Sequence, residues 1–160
     1  MSTPSSTDLK HIFWERAKDI AAGMLSAPNA PPRPMGHTAR PKDGALWFIT
    51  AADTDIAAAA QSGSTAQYTL ACMHSQLYAT VEGTLSIEKS KEKLDEIWSP
   101  MAAMWFEDGR EDDKIRLVRF APKTAEIWAT DGSARTLYEM AKAAVTDDPP
   151  SPGTHGSVRF

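Results

Sequence analysis

Apolar residues first recur at helical spacing, with Leu9, Ile12, Phe13, Ala17, Ile20 and Met24 on one stripe and Lys10, Arg16, Lys18 and Asp19 off it. Asp8 is a side chain that can accept from free first-turn N–H groups, so the pattern predicts a helix from Asp8 to about Leu25. Pro28 and the pair Pro31-Pro32 stop it. Strand-like pieces follow at Pro34–Ala39 and Ala45–Ala51, separated by the turn Pro41-Lys-Asp-Gly44. Asp53 or Thr54 can cap an alanine-rich helix running through Gln61 and ended by Gly63. Two longer strand-like runs, Ala66–Met73 and Gln76–Ile87, are joined so tightly at His74-Ser75 that they predict an antiparallel hairpin.

The second half opens with a helix over about Ser90–Trp98, which meets Pro100. A proline fixes φ and has no N–H, so a new turn begins there and Pro100 opens a short helix carrying Met101, Met104 and Trp105 on one face. Glu107-Asp-Gly109 is a loop signal. Strands at Ile115–Phe120 and Thr124–Ala129, turned by Ala121-Pro-Lys123, precede a last helix from about Ser133 to Val145. Asp147–Gly153 is proline-rich, and Ser157–Phe160 could add a short edge strand. Residues 1–7 read as a disordered tail, 8–146 as one domain and 147–160 as a C-terminal tail. Six or so short strands with helices at their edges read as α+β with a small closed antiparallel barrel.

Composition narrows the chemistry. A chain of 160 residues can bury roughly 70% of the surface its unfolded form exposes, enough for one core. The formal charge of −4 and the absence of a basic run argue against a nucleic-acid surface. The charged stretch Glu107–Asp113 is mixed, mostly acidic, and reads as solvated loop. A single cysteine excludes an internal disulfide; in the apolar run Tyr68–Met73 it is expected to be a buried, inert thiol. The polar N-terminus lacks the pattern of a secretory signal and no apolar run nears the ~20 residues that cross a bilayer, so a cytoplasmic protein is expected. The four histidines show no metal-ligand spacing, and no nucleophile elbow or phosphate-cradling glycine loop is present.

Four blocks occur in an informative order: Arg33-Pro-Met35, Leu46-Trp-Phe-Ile-Thr50, Trp98-Ser-Pro through Trp105-Phe-Glu-Asp-Gly109, and Ala125-Glu-Ile-Trp128. Between the second and third lies Tyr78-Ala-Thr-Val-Glu-Gly-Thr-Leu85, a strand interrupted by glycine. Together they resemble the general stress protein branch of the pyridoxamine 5′-phosphate oxidase-like family, the FMN-binding split barrels. The resemblance covers nearly the whole chain. It implies a six-stranded antiparallel split β-barrel with flanking helices, FMN as cofactor, and a homodimer whose two sites lie at the subunit interface.

A flavin mononucleotide needs cationic groups or donors for its phosphate, a flat apolar slot for its ring, and donors at the ring's polar edge. The resemblance assigns Arg33 to the phosphate or ribityl chain, with Pro34, Met35 and Gly36 beside the ring edge. It places Trp47, Phe48, Ile49 and Thr50 on the strand that ends near the phosphate. Gln76 and Thr80 are implied ring-edge partners. Trp128, delivered from the partner subunit, is implied to lie at the ring, and Trp105 is a second candidate for covering it. The outer faces of Ala66–Met73 and Gln76–Leu85 are the implied dimer surface. One departure stands out: the family commonly carries basic residues at the start of the helix after Thr50, and this chain has Asp55 and Ile56.

The function implied is that of a low-specificity flavin-dependent redox protein or flavin carrier, possible as an FMN-dependent oxidoreductase. True pyridoxamine 5′-phosphate oxidase activity is not expected, because no second basic set for a pyridoxal phosphate is evident. The alternative is a non-enzymatic homodimeric split barrel that has lost flavin and binds another small ligand or none. Neither nucleic acid nor membrane is an expected partner.

Overall fold

The computed structural model describes residues 5–130, 133–147, 149 and 153–160. Its elements run α1 (Ser6–Ala17), β1 (Ala22–Ala27), β2 (Ala30–Gly36), β3 (Thr38–Arg40), β4 (Ala45–Ala51), α2 (Asp55–Gln61), β5 (Thr65–Cys72) and β6 (Leu77–Glu88). Then come α3 (Lys91–Ile97), α4 (Pro100–Ala103), β7 (Ile115–Thr130), α5 (Ser133–Val145) and β8 (Gly153–Arg159). All strand pairs are antiparallel, and the order across the sheet is β2-β1-β5-β6-β7-β4-β3, with β8 also on β7. The fold is α+β: one strongly curled sheet forms a half-barrel with helices at its flanks.

The sheet has eight strands, not six, and no ladder among the described residues closes it. Strands β2 and β3, the two ends of that order, are consecutive in sequence, so the chain itself crosses the gap at His37, while β8 is a further edge beside β7. Pro31, Pro32 and Pro34 line the exposed edge on β2, where a missing N–H prevents another strand from adding.

Three expectations need correction. Helix α1 stops at Ala17 and not near Leu25; residues 22–27, of which Met24 belongs to the apolar stripe, pair with β2 and β5 as a strand. Its N-cap is Ser5, whose hydroxyl accepts from the Asp8 N–H, while the Asp8 carboxylate bonds back to Ser5 in a capping box. The third correction concerns the supposed turn at 121–123: β7 runs unbroken through it, with Pro122 opposite Gly83 at a bulge. Of the two tails, residues 1–4, 148 and 150–152 lie outside the described residues, and Ser6, Thr7 and residues 153–159 belong to α1 and β8.

The barrel interior holds Leu25, Phe48, Tyr68, Val81, Phe120 and Ile127, all fully buried, with α2 plugging one end through Ile56, Ala57 and Ala60. Phe48 meets Tyr68 edge-to-face at 5.0 Å. Helix α1 covers β8, where Phe13, Trp14 and the terminal Phe160 form a triad of rings 5.2–5.9 Å apart. A second, smaller core lies on the other side of β4, where Trp47 and Leu117 pack under Ile97 of α3.

His37 fastens the seam between the sheet edges. Its Nε2 lies 2.7 Å from the Ala17 carbonyl at the end of α1, and its Nδ1 lies 2.6 Å from the Tyr68 hydroxyl. A carbonyl only accepts, so the neutral ring carries its proton on Nε2. The Tyr68 O–H then serves Nδ1 and the Met35 carbonyl, 2.8 Å away, with one proton. Burial holds the His37 pKa below its ordinary value, partly opposed by the bond to Ala17. The unfolded chain therefore takes up this proton first as pH falls below about 6.5. Stability from this group is full above that pH and declines below it, by at most ~1.4 kcal/mol per pH unit, until the folded ring titrates. Urea unfolding between about pH 7 and pH 5 should show this decline, and His37→Gln should flatten it. An unchanged slope in the variant would assign the proton to another group.

Candidate functional site

The residues that the resemblance gathers into one site fall into three places. Arg33 and Pro34 stand exposed on the edge strand β2, opposite Leu25 and Met24, while Met35 turns inward and is buried. Arg33 forms no hydrogen bond or ion pair among the described residues. On β4, strand alternation sends Trp47 and Ile49 to the outer core, and Phe48 and Thr50 to the barrel side. Trp47 is enclosed: its indole N–H donates to Asp43 at 3.0 Å and the Lys93 ammonium sits 5.5 Å over its ring. Lys93 also bonds Asp43 at 2.8 Å, which holds that carboxylate below its usual range. The indole of Trp47 and the ring of Phe48 therefore serve packing, and Trp47 stands between Thr38 of β3 and Arg119 of β7 in the sheet.

At the end of β4 the chain turns into α2, and the hydrogen bonds of that corner can be counted proton by proton. The Thr54 hydroxyl donates to the Ala51 carbonyl at 2.9 Å and accepts from the Ala57 N–H at 3.1 Å as the helix cap. Its contact with the Thr50 hydroxyl at 3.0 Å must therefore be a bond that Thr50 donates. Both hydroxyl protons are spent. The first turn of α2 adds the exposed carboxylate of Asp55. Ile56, which the resemblance sets in a phosphate-holding position, has no exposed surface: the stripe Ile56, Ala57, Ala60 is the face that α2 turns to the core.

The third place is the outer face of β6, β7 and β8. Trp128 is 43% exposed and stacks flush on His155, with ring centres 4.7 Å apart and planes 7° apart. Tyr78 is its ladder neighbour on β6. His155 is held by the Glu126 carboxylate, which also accepts from the Ser157 hydroxyl. Ser157 and then His155 hold the Glu126 pKa below its usual value. A hollow of about 520 Å³ adjoins this cluster, walled by Thr80, Glu82, Ala125, Glu126, Val158 and Arg159. The roles of Tyr78, Glu126 and His155 are not readable from sequence, because β8 brings His155 to Trp128 across 27 residues of chain. The only local signal was the alternation of Ser157–Phe160.

Trp105 follows α4 and is 79% exposed, together with Met101 and Met104. Gln76 sits in the β5–β6 turn at φ +54°, and its carbonyl accepts from Arg16 at 2.7 Å and from the Thr130 N–H at 3.1 Å. Within one subunit β2 and β7 are four strand spacings apart, roughly 19 Å along the sheet. Cys72 is half-buried at the end of β5 and not enclosed as expected. The Ser75 N–H, 3.5 Å from its sulfur, holds the thiol below its usual pKa. Among the described residues no group of three or more His, Cys, Asp or Glu could hold a metal, and no helix is long and apolar enough to cross a membrane.

The sequence profile of proteins described as pyridoxamine 5′-phosphate oxidase like matches residues 8–151. The chain belongs to that family. A family structure from Jannaschia sp. CCS1, described as general stress protein 26, is 40% identical and superimposes with a TM-score of 0.90, covering 96% of this chain and 99% of its own. The general stress FMN/FAD binding protein of Xanthomonas citri is 26% identical at a TM-score of 0.71, over 79% and 92% of the two chains. An FMN binding protein from Nostoc punctiforme PCC 73102, 16% identical at a TM-score of 0.55 over 83% and 89% of the two chains, shares the fold alone. The sequence matches no curated protein.

Flavin mononucleotide fits this chain in one part only. Exposed flat aromatics exist for the ring in Trp128 and Trp105. At the corner of Thr50, Thr54, Asp55 and Ile56 a phosphate would find both hydroxyl protons spent, an exposed carboxylate and a core side chain, with the backbone N–H groups of Asp55 and Ile56 as the remaining donors.

Proposed function

We propose that this protein is a homodimer of the general stress type that binds a flavin-class ring at its subunit interface, as a flavin carrier or a low-specificity flavin-dependent redox protein. The observation that carries the reading is the aromatic ledge on β7. Trp128 leaves one face of its indole open while the other rests on His155. A large half-open ring on a strand face is a stacking surface for a planar heterocycle. Met24, 41% exposed on the outer face of β1, extends the apolar area that a second copy would cover.

Light scattering and a riboflavin titration test both halves. The expected results are a dimer at micromolar concentration and saturable uptake near one ring per subunit. Trp128→Ala should weaken that uptake roughly five- to tenfold, the worth of one aromatic stack. A monomer that takes up no flavin would end this reading. The second reading, a non-enzymatic dimer without flavin, is favoured by the spent hydroxyls and the Asp55 carboxylate at α2, and a dimer that takes up no flavin would leave it standing.

A further inference from the structure

We infer that the two apolar helix faces this subunit leaves uncovered cover each other in the dimer, α4 of one copy docking on α5 of the other. The inference rests on the homodimer proposed above and names the surfaces that form it. Helix α5 is inverted. Leu137, Ala141 and Ala144 fall on one side of it, with Tyr138 and Val145 beside them, yet this whole side faces solvent. Leu137 is 68% and Val145 83% exposed, while Glu139 on the opposite side is only 6% exposed. A helix that sheathes a lone subunit turns the other way, with its apolar side in. Helix α4 repeats the pattern: it buries none of its residues, and Met101, Met104 and, just behind it, Trp105 stand exposed together.

A second copy is the occupant that closes both faces at once. Under a two-fold axis an α4–α5 contact occurs twice, so neither face of either copy is left open. From the exposed fractions, the two contacts together bury on the order of 2,000 Å² of mostly apolar surface, the scale of a stable dimer. The outer face of β5 and β6 offers no such apolar area, because it presents Gln67, Thr69, Thr80 and Glu82. Charge selects which face meets which. Glu107 and Asp108 follow directly on Trp105, exposed and in no ion pair among the described residues. Lys142, exposed and likewise unpaired, flanks Tyr138 on α5. Setting α4 against α5 brings these opposite charges together, whereas pairing like faces would bring like charges together. A lipid surface suits the two faces less well, since Glu107, Asp108 and Asp147 beside them repel anionic headgroups.

Sedimentation equilibrium of the full chain, with far-UV circular dichroism to follow folding, reads the contact. Leu137→Asp and Met104→Lys change side chains that are exposed in the subunit, so both variants should fold. Each should raise the dimer dissociation constant roughly a hundredfold or more, because each change enters both contacts. Combined in one chain they set Asp against Lys at both contacts and should recover about tenfold or more of that loss, most at low salt. Lys142→Glu and Glu107→Lys read the same contact without touching its apolar part. Each should weaken the dimer roughly two- to fivefold, and the two together should restore it. A dimer unchanged by both Leu137→Asp and Met104→Lys would overturn the inference and leave the homodimer reading standing. A combined variant weaker than either single one would also overturn it, because like faces would then be paired. So would a Leu137→Asp protein that stays dimeric and loses only binding to phosphatidylserine-containing vesicles. A wild type that is monomeric at micromolar concentration would overturn the homodimer reading itself, and this inference with it.

Discussion

Ile56→Lys should leave little folded protein. The substitution removes a fully buried side chain from the face of α2 that plugs the barrel, beside Ala57 and Ala60. Loss of the isoleucine alone costs about 2–5 kcal/mol. An ammonium with no carboxylate to pair with adds a desolvation penalty of several kcal/mol unless it is neutralised or swings out. Domains of this kind hold only about 5–15 kcal/mol in all. Urea unfolding should therefore show a midpoint near zero denaturant, or no cooperative transition. Asp55→Arg, one residue earlier and exposed, should stay within about 0.5 kcal/mol of wild type. A stable Ile56→Lys protein with a wild-type midpoint would mean that α2 turns a different face to the core. Restoring the family's basic pair here is thus two unlike operations, one on the surface and one inside the barrel.

Gly83→Ala is the second substitution expected to cost much. A Cβ at this position would stand 2.3 Å from the Ala121 carbonyl oxygen, 2.9 Å from its carbon and 3.0 Å from the Phe120 ring. The first two are backbone atoms that cannot swing aside, and Phe120 is fully buried. Gly83 faces Pro122 at the bulge where β6 and β7 change register. There the missing side chain lets the bent strand approach, and the missing proline N–H falls where no ladder bond is needed. Forcing the strands apart should cost about 3 kcal/mol, a fall in Tm of roughly 6–12 °C for a domain of this size. A melting temperature within about 2 °C of wild type would show that the bulge can open without loss.

The Trp128–His155 ledge and the α2 corner show how differently two parts of a site can be encoded. At the corner each residue type is visible in one short stretch, Thr50 through Ile56, and the departure from basic residues is plain. What the stretch does not display is which hydroxyl donates to which, or that position 56 faces inward. The ledge has no such stretch, since Glu126, Trp128, His155 and Ser157 meet only when β8 pairs with β7.

The sequence by itself determined the elements whose signals are local. The start of α2 at Asp53 or Thr54, the proline opening α4 at Pro100, and the strand-like runs of β4, β5 and β6 all need only near neighbours along the chain. The family blocks are likewise a property of order and spacing. Tertiary structure decided the rest. Met24 extends the helical stripe of Leu9 to Ile20, yet ladders to β2 and β5 make residues 22–27 a strand, because pairing on both sides outweighs a weak local preference. Pro122 reads as a turn until Gly83 across the ladder gives it a bulge to occupy. Trp47 and Phe48 look like site residues until the curl of the sheet assigns each a face, and burial is a property of the packed whole that no single stretch contains.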